Sequence, residues 1–187
     1  MNTPAVPSPL RSQFLDGMSH AACTVSVVTT DGVAGRAGVT VSAMSSVSAD
    51  GAAPTLLVCV HWQSAAAAAV IANGAFCVNV LRAEHFEHSR AFSGAQTGES
   101  RFKPEEWTRL ATGAPVLIDA LVAFDCRVEK EIAHGTHTLF LGRIEHIVAG
   151  RKGRSLLYAD GQYGKFAALG ERVLPGELPD ALDWGIG

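Results

Sequence analysis

Small hydroxyl residues alternate with apolar ones through Gly38-Val39-Thr40-Val41-Ser42-Ala43-Met44-Ser45-Ser46-Val47-Ser48. A period of two sends successive side chains to opposite faces of a strand. The pattern therefore predicts one strand over residues 36–48, with one face in a core. Two readings fit the hydroxyl face. It is an ordinary Ser/Thr-rich strand, since β-branched residues favour strands, or a wall that turns hydroxyls and amides toward a polyanionic ligand.

β-Branched content predicts a further strand at Thr24-Val25-Ser26-Val27-Val28-Thr29-Thr30, and apolar runs predict others over residues 54–61 and at Phe76-Cys77-Val78-Asn79-Val80-Leu81. Asp31-Gly32 marks a turn after the first of these. Two long strands are expected over 121–132 and 137–148, joined by a hairpin turn at Ala133-His134-Gly135-Thr136. A last apolar patch, Leu156-Leu157-Tyr158, precedes Asp160-Gly161-Gln162-Tyr163-Gly164.

Three helices are expected. Residues 10–22 follow Ser8 as cap and Pro9 in the first turn. Ser64 opens a run of good helix formers from Ala65 to Ala72, and Asn73-Gly74 closes it. Residues 84–93 suit a short third helix, and 94–115 read as irregular. Flexible ends are expected at 1–9 and 175–187. Strands outnumber helices and do not alternate with them, which disfavours a doubly wound parallel sheet. The expected architecture is mainly β: one antiparallel barrel domain over residues 1–187, with short peripheral helices.

Composition narrows the picture. At 187 residues the chain is one domain's worth. Hydrophobic residues make up 48% and charged residues 18%, which leaves apolar surface for a second copy to cover. A net charge of -3 without a basic block excludes nucleic-acid binding through phosphate neutralisation. No apolar window is long enough to span a bilayer, and the start does not read as a secretory signal. Cys23, Cys59, Cys77 and Cys126 lie far apart beside strand-like runs, as buried reduced thiols of a cytoplasmic protein would. No metal site is expected, because no cysteine pair has ligand spacing and His134 with His137 lacks a third ligand.

The chain resembles a known family in seven fragments taken in order. These are Ser46-Val47-Ser48 ending a Thr/Ser strand, a proline before an apolar strand, and a Ser-capped helix. Then come Phe76 to Leu81, Arg101-Phe102, His137-Thr138-Leu139-Phe140-Leu141-Gly142, and Leu157-Tyr158 with Gly161 and Tyr163. Together they resemble the short-chain flavin reductase components of two-component flavin-dependent monooxygenases, over roughly residues 14–166.

That resemblance implies a split β-barrel homodimer that binds FMN or FAD. It implies hydride transfer from NADH or NADPH to the flavin, and delivery of reduced flavin to a partner oxygenase. By similarity, Thr40, Val41, Ser42 and Ala43 run along the isoalloxazine ring and ribityl chain, and Ser46, Val47 and Ser48 follow on the same wall. His61, Trp62, Gln63 and Ser64 approach the phosphate, where a helix start favours an anion. Phe92, Arg101 and Tyr163 are further expected flavin contacts, and Arg90 a weaker one. His137 is the expected catalytic helper, beside the nicotinamide.

No GxGxxG motif follows a strand and opens a helix, so no Rossmann site is expected for the nicotinamide cofactor. The chain departs from the family pattern at Ala53-Pro54, where a proline pair is usual, and at Met44, where a small polar residue is usual. Two other readings stand beside the reductase. One is a flavin carrier without reductase activity. The other is a flavoenzyme that reduces another acceptor, such as corrin-bound cobalt; an oxidase of pyridoxamine phosphate would need more basic residues than the chain offers.

Overall fold

The computed structural model describes residues 8–94 and 98–169. The ends expected to be flexible lie outside the described residues, apart from Ser8 and Pro9. In chain order the elements are α1 (Pro9–Ser19), β1 (Cys23–Thr24), β2 (Ser26–Thr30), β3 (Ala37–Val41), β4 (Met44–Ser48) and β5 (Thr55–His61). Next come α2 (Ala65–Asn73), β6 (Ala75–Val80), α3 (Phe86–Ser93), β7 (Trp107–Arg109) and β8 (Pro115–Leu117). The long strands β9 (Val122–His134) and β10 (His137–Ala149) precede β11 (Leu156–Ala159) and β12 (Gln162–Lys165).

Seven strands form one antiparallel sheet in the order β3-β2-β6-β9-β10-β5-β4. Its two outermost strands, β3 and β4, are neighbours in sequence, separated only by Ser42 and Ala43. The chain bends at that corner, pairs with β2 on one side and β5 on the other, and so rolls the sheet into a barrel. The backbone N–H of Cys59 donates to the Ala43 carbonyl at 3.1 Å and holds the corner against β5. The single strand expected over 36–48 is therefore two strands. Their alternation is continuous, but their pairing partners are not.

A second correction has the same origin. The strand expected over 24–30 breaks at Val25, whose N–H donates to the Leu156 carbonyl at 2.9 Å. Residues before it join the small sheet β1-β11-β12, and residues after it join the barrel. Helix α1 stops at Ser19, where Asp160 takes over: its N–H donates to the Ser19 carbonyl at 2.7 Å, and its carboxyl meets His20 Nδ1 at 2.6 Å. The hairpin turn is shorter than expected. The strands run to His134 and from His137, leaving Gly135-Thr136 as the loop, with Gly135 at φ 56°. Within the region read as irregular, β7 and β8 pair as a short hairpin.

The barrel interior is filled by Val28, Val41, Leu56, Val58, Val60, Phe76, Val78, Cys126 and Phe140. Helix α2 lies against it through Ala66, Ala67, Ala69 and Val70. Three of those four side chains are a single methyl, which lets the helix axis come close to the sheet. Asn79, fully buried, ties β8 to the barrel: its side-chain N–H donates to the Val27 carbonyl at 3.1 Å, and its Oδ1 accepts from the Leu117 N–H at 2.7 Å.

Candidate functional site

Three pieces of chain meet at one end of the barrel: the 42–43 corner, the end of β5 with the loop to α2, and the start of β10. The Cys59–Ala43 bond brings the corner to β5. The register sets His137 directly opposite His61, so both side chains leave the same face of the sheet. Their rings meet edge to face, with centroids 5.2 Å apart at 77°.

Short local bonds shape the loop from His61 to Ser64. His61 Nδ1 accepts from the Gln63 N–H at 3.2 Å, and the Ser64 N–H donates to the His61 carbonyl at 2.9 Å. Ser64 caps α2, its hydroxyl accepting from the Ala66 N–H at 3.2 Å. The Trp62 N–H donates to the Thr136 carbonyl at 3.1 Å, which ties the loop to the β9–β10 hairpin. The Trp62 indole stands beside the His61 ring, 6.2 Å away and inclined by 18°, and is 56% exposed. Ser42, Ala43, Gln63 and His137 are also exposed.

This end of the barrel thus presents a Ser64-capped helix start, the exposed Ser42, a flat aromatic surface and two imidazoles. An anionic group fits the start of α2, where backbone amides and the helix dipole favour negative charge. A planar conjugated ring fits against an exposed indole.

Other expected residues lie elsewhere. Ser46, Val47 and Ser48 sit on the far half of β4, opposite Leu56 and Thr55. They line a largely apolar groove of about 260 Å³ with Met44, Pro54, Phe124 and Ile144. The Thr40 hydroxyl donates to the Ser89 carbonyl at 2.7 Å and so braces β3 against α3. The Tyr163 hydroxyl bonds the Ser89 hydroxyl at 2.8 Å, and its ring packs on Phe86 and Tyr158 at 5.3 and 5.2 Å. Val41 is a core residue.

Phe92 is 1% exposed and packs edge to face on Phe102 and Trp107, at 5.0 and 5.6 Å. The structure gives it a place in the core beneath β3. Arg101 lies 4.6 Å over the Phe92 ring and donates to the Gly38 carbonyl at 3.4 Å. Partial burial lowers its pKa. Arg90 reaches Glu87 at 3.8 Å and the Phe86 ring at 5.8 Å.

The sequence reading missed Ser89, and it placed Thr136 and His134 in a turn without their contacts to the site. Thr136 supplies a carbonyl to Trp62 and a hydroxyl to His137 Nδ1 at 3.0 Å. His134 faces His137 from β9. The signal for His134 was present, because a two-residue loop makes its flanking residues partners. Among the described residues no group of three His, Cys, Asp or Glu side chains is placed to hold a metal ion.

The chain matches the flavin reductase like domain family over residues 18–167. It is 42% identical over 165 residues to the FMN reductase (NADH) RutF of Ancylobacter novellus, a match that covers 88% of this chain and 90% of that one. Among solved structures it superposes on BorF, the flavin reductase component of a bacterial two-component tryptophan halogenase. That match has a TM-score of 0.76 and 30% identity, over 84% of this chain and 99% of BorF. It also superposes on the Streptomyces globisporus NADH:FAD oxidoreductase SgcE6 in complex with NAD and FAD fragments, at TM-score 0.78 and 25% identity, over 89% and 99% of the two chains. With its barrel and the match along most of its length, the chain belongs to the flavin reductase like domain family.

Proposed function

We propose that the chain is an NADH-dependent FMN reductase that passes reduced flavin to a separate flavin-dependent oxygenase. The observation that carries this is the meeting of Ser42-Ala43, residues 61–64 and His137 at one end of a barrel whose family and relatives reduce flavin. Bound flavin accepts a hydride at N5 from nicotinamide C4, and the protein's part is to hold the two rings in stacking distance.

The residues present fit a flavin nucleotide. The Ser64-capped start of α2 takes the phosphate, aided by the methyl-sized side chains of Ala65, Ala66 and Ala67. Ser42 and Ala43 lie along the ring and ribityl chain. His137, opposite His61 on the same face, is the residue that orients the nicotinamide in this reading. FMN is favoured over FAD because the relative at 42% identity is named an FMN reductase, whereas the FAD-linked structure is 25% identical. The names of the relatives favour NADH as donor, and they favour reductase activity over a flavin carrier or a reductase of corrin cobalt.

The reading includes a homodimer. On β5, Leu56, Val58 and Val60 point into the barrel, while Leu57 and Cys59 point outward and are half-buried. On β10, Leu139 and Leu141 lie opposite them on that outer face, and on β9 Ile132 does so at 39% exposure. An antiparallel sheet with one face in water alternates apolar and polar residues. The patch formed by Leu57, Cys59, Ile132, Leu139 and Leu141 makes this part of the sheet apolar on both faces, which suits cover by a second copy. Four free thiols accord with a cytoplasmic location, and no helix among the described residues is long and apolar enough to cross a membrane.

The test is NADH consumption by the purified protein with and without added FMN. The reading expects oxidation that depends on FMN and saturates with it. A rate equal to the protein-free background at every FMN concentration contradicts it.

A further inference from the structure

We infer that His61 is a positioning residue for His137, acting on the nicotinamide side of the site rather than on the flavin phosphate. The inference rests on the reductase reading for the role of His137. It rests on geometry for everything else.

His61 and His137 close the β5–β10 ladder at its end, and His134 stands on the other side of His137. The three imidazoles form a row across three strands, on one face. His61 is held from two sides and from the backbone. Its ring lies between the Trp62 indole, inclined by 18°, and the His137 ring, at 77°. Its Nδ1 accepts the Gln63 N–H at 3.2 Å, so the proton of the neutral ring sits on Nε2. Backbone thus sets the plane of His61, and the His61 ring sets the plane of His137 together with the Thr136 hydroxyl.

The His137 ring has one further tie, the Thr136 hydroxyl at Nδ1, 3.0 Å away. That leaves Nε2 to face a bound carboxamide. In the single chain His137 is exposed, and His61 and Thr136 are the contacts that restrain its rotation among the described residues. The Trp62–Thr136 backbone bond keeps the loop and the hairpin together whatever side chain stands at 61. Removing the His61 ring therefore loosens His137 and leaves the fold in place.

Two variants separate the ring from its hydrogen bond. His61→Asn keeps a short acceptor for the Gln63 N–H but removes the aromatic edge. His61→Phe keeps the ring and loses the acceptor. An edge-to-face aromatic contact is worth about a 2- to 10-fold change in an equilibrium. The expected result for His61→Asn is a rise of about that size in the KM for NADH, with kcat and the FMN Kd changed far less. His61→Phe should restore the KM.

A second readout needs no activity. In the proton NMR spectrum of the flavin-free protein, the His137 ring signals should lose the shift imposed by the His61 ring in His61→Asn, and should keep one in His61→Phe. Unmoved His137 signals in His61→Asn overturn the inference. So does an unchanged KM for NADH, or a loss of FMN affinity as large as the change in KM. If the wild-type protein shows no FMN-dependent NADH oxidation, the reductase reading fails. In that event the NMR comparison still decides whether His61 orients His137.

Discussion

The Phe92 ring occupies the space that a side chain at Gly38 would need: a Cβ built on Gly38 lies 2.8 Å from Phe92 Cε1 and 3.2 Å from Phe102 Cζ. Gly38 is there for room, and the room lets β3 lie flat on the aromatic cluster under α3. Gly38→Ala should therefore cost about 1–3 kcal/mol of stability by overpacking, read from the urea midpoint. The cost should shrink in a Phe92→Leu background, because the two sites touch. Equal costs in both backgrounds contradict the contact.

Ser64 has two expected duties, as helix cap and as phosphate partner, and two substitutions separate them. Ser64→Gly leaves an acceptable cap and should cost only a few tenths of a kcal/mol, whereas Ser64→Ala should cost about 1 kcal/mol. Both remove the hydroxyl, so both should weaken FMN binding several-fold. Fluorescence titration of FMN measures this. FMN affinity that survives in Ser64→Gly would confine Ser64 to capping.

Alkaline pH should unfold the protein partly through its buried thiols. Burial, with the nearby Asp125 and Glu145 charges, pushes the Cys126 thiol from 9.0 up to about 12. Cys77, buried beside Asp125 and Cys126, is raised as well. A raised pKa means that the folded protein holds its proton after the unfolded chain has begun to lose it. The stability linked to Cys126 is complete below pH 9.0 and is lost as pH rises toward about 12. Cys126→Ala should flatten the fall in stability across that range relative to wild type. Parallel curves for the two proteins contradict the assignment.

The outward side chains of β5 and β10 make the dimer proposal specific. Leu141 stands opposite Leu57 on the outer face, half-buried in the single chain. Leu141→Lys puts a charge where a second copy would pack. Sedimentation should show wild type as a dimer and this variant as a monomer of near-native secondary structure. A wild-type monomer, or a variant dimer of undiminished affinity, contradicts the proposed face.

Much of the barrel is legible in the sequence because the signals are local. The apolar run over 54–60 gives β5, and Ser64 with Asn73-Gly74 frames α2, whose closing Gly74 sits at φ 66°. The corner at Ser42-Ala43 is not legible. The alternation runs straight through it, and only the distant partners β2 and β5 force the bend. The β7–β8 hairpin was missed for a similar reason, since Asn79 on β6 holds it in place.

The candidate site divides the same way. The resemblance points to Ser42, Ala43, residues 61–64 and His137, and the fold brings them to one end of the barrel. Thr40 and Tyr163 carry the residue types of a binding wall, but their hydroxyls are bonded to Ser89. Phe92 resembles a ring contact in sequence and is core in the structure, because α3 turns it inward under Gly38. The His61–His137 contact depends on strand register, which no short motif encodes.

The central claim is a flavin held at the barrel end with one face open to NADH. The most direct measurement is the visible absorption spectrum of the protein saturated with FMN, recorded anaerobically before and after one equivalent of NADH. The account predicts rapid bleaching of the flavin band and, when the two proteins are compared at one sub-saturating FMN concentration, a much slower loss in Ser64→Gly. A yellow protein that keeps its colour with NADH present would contradict it.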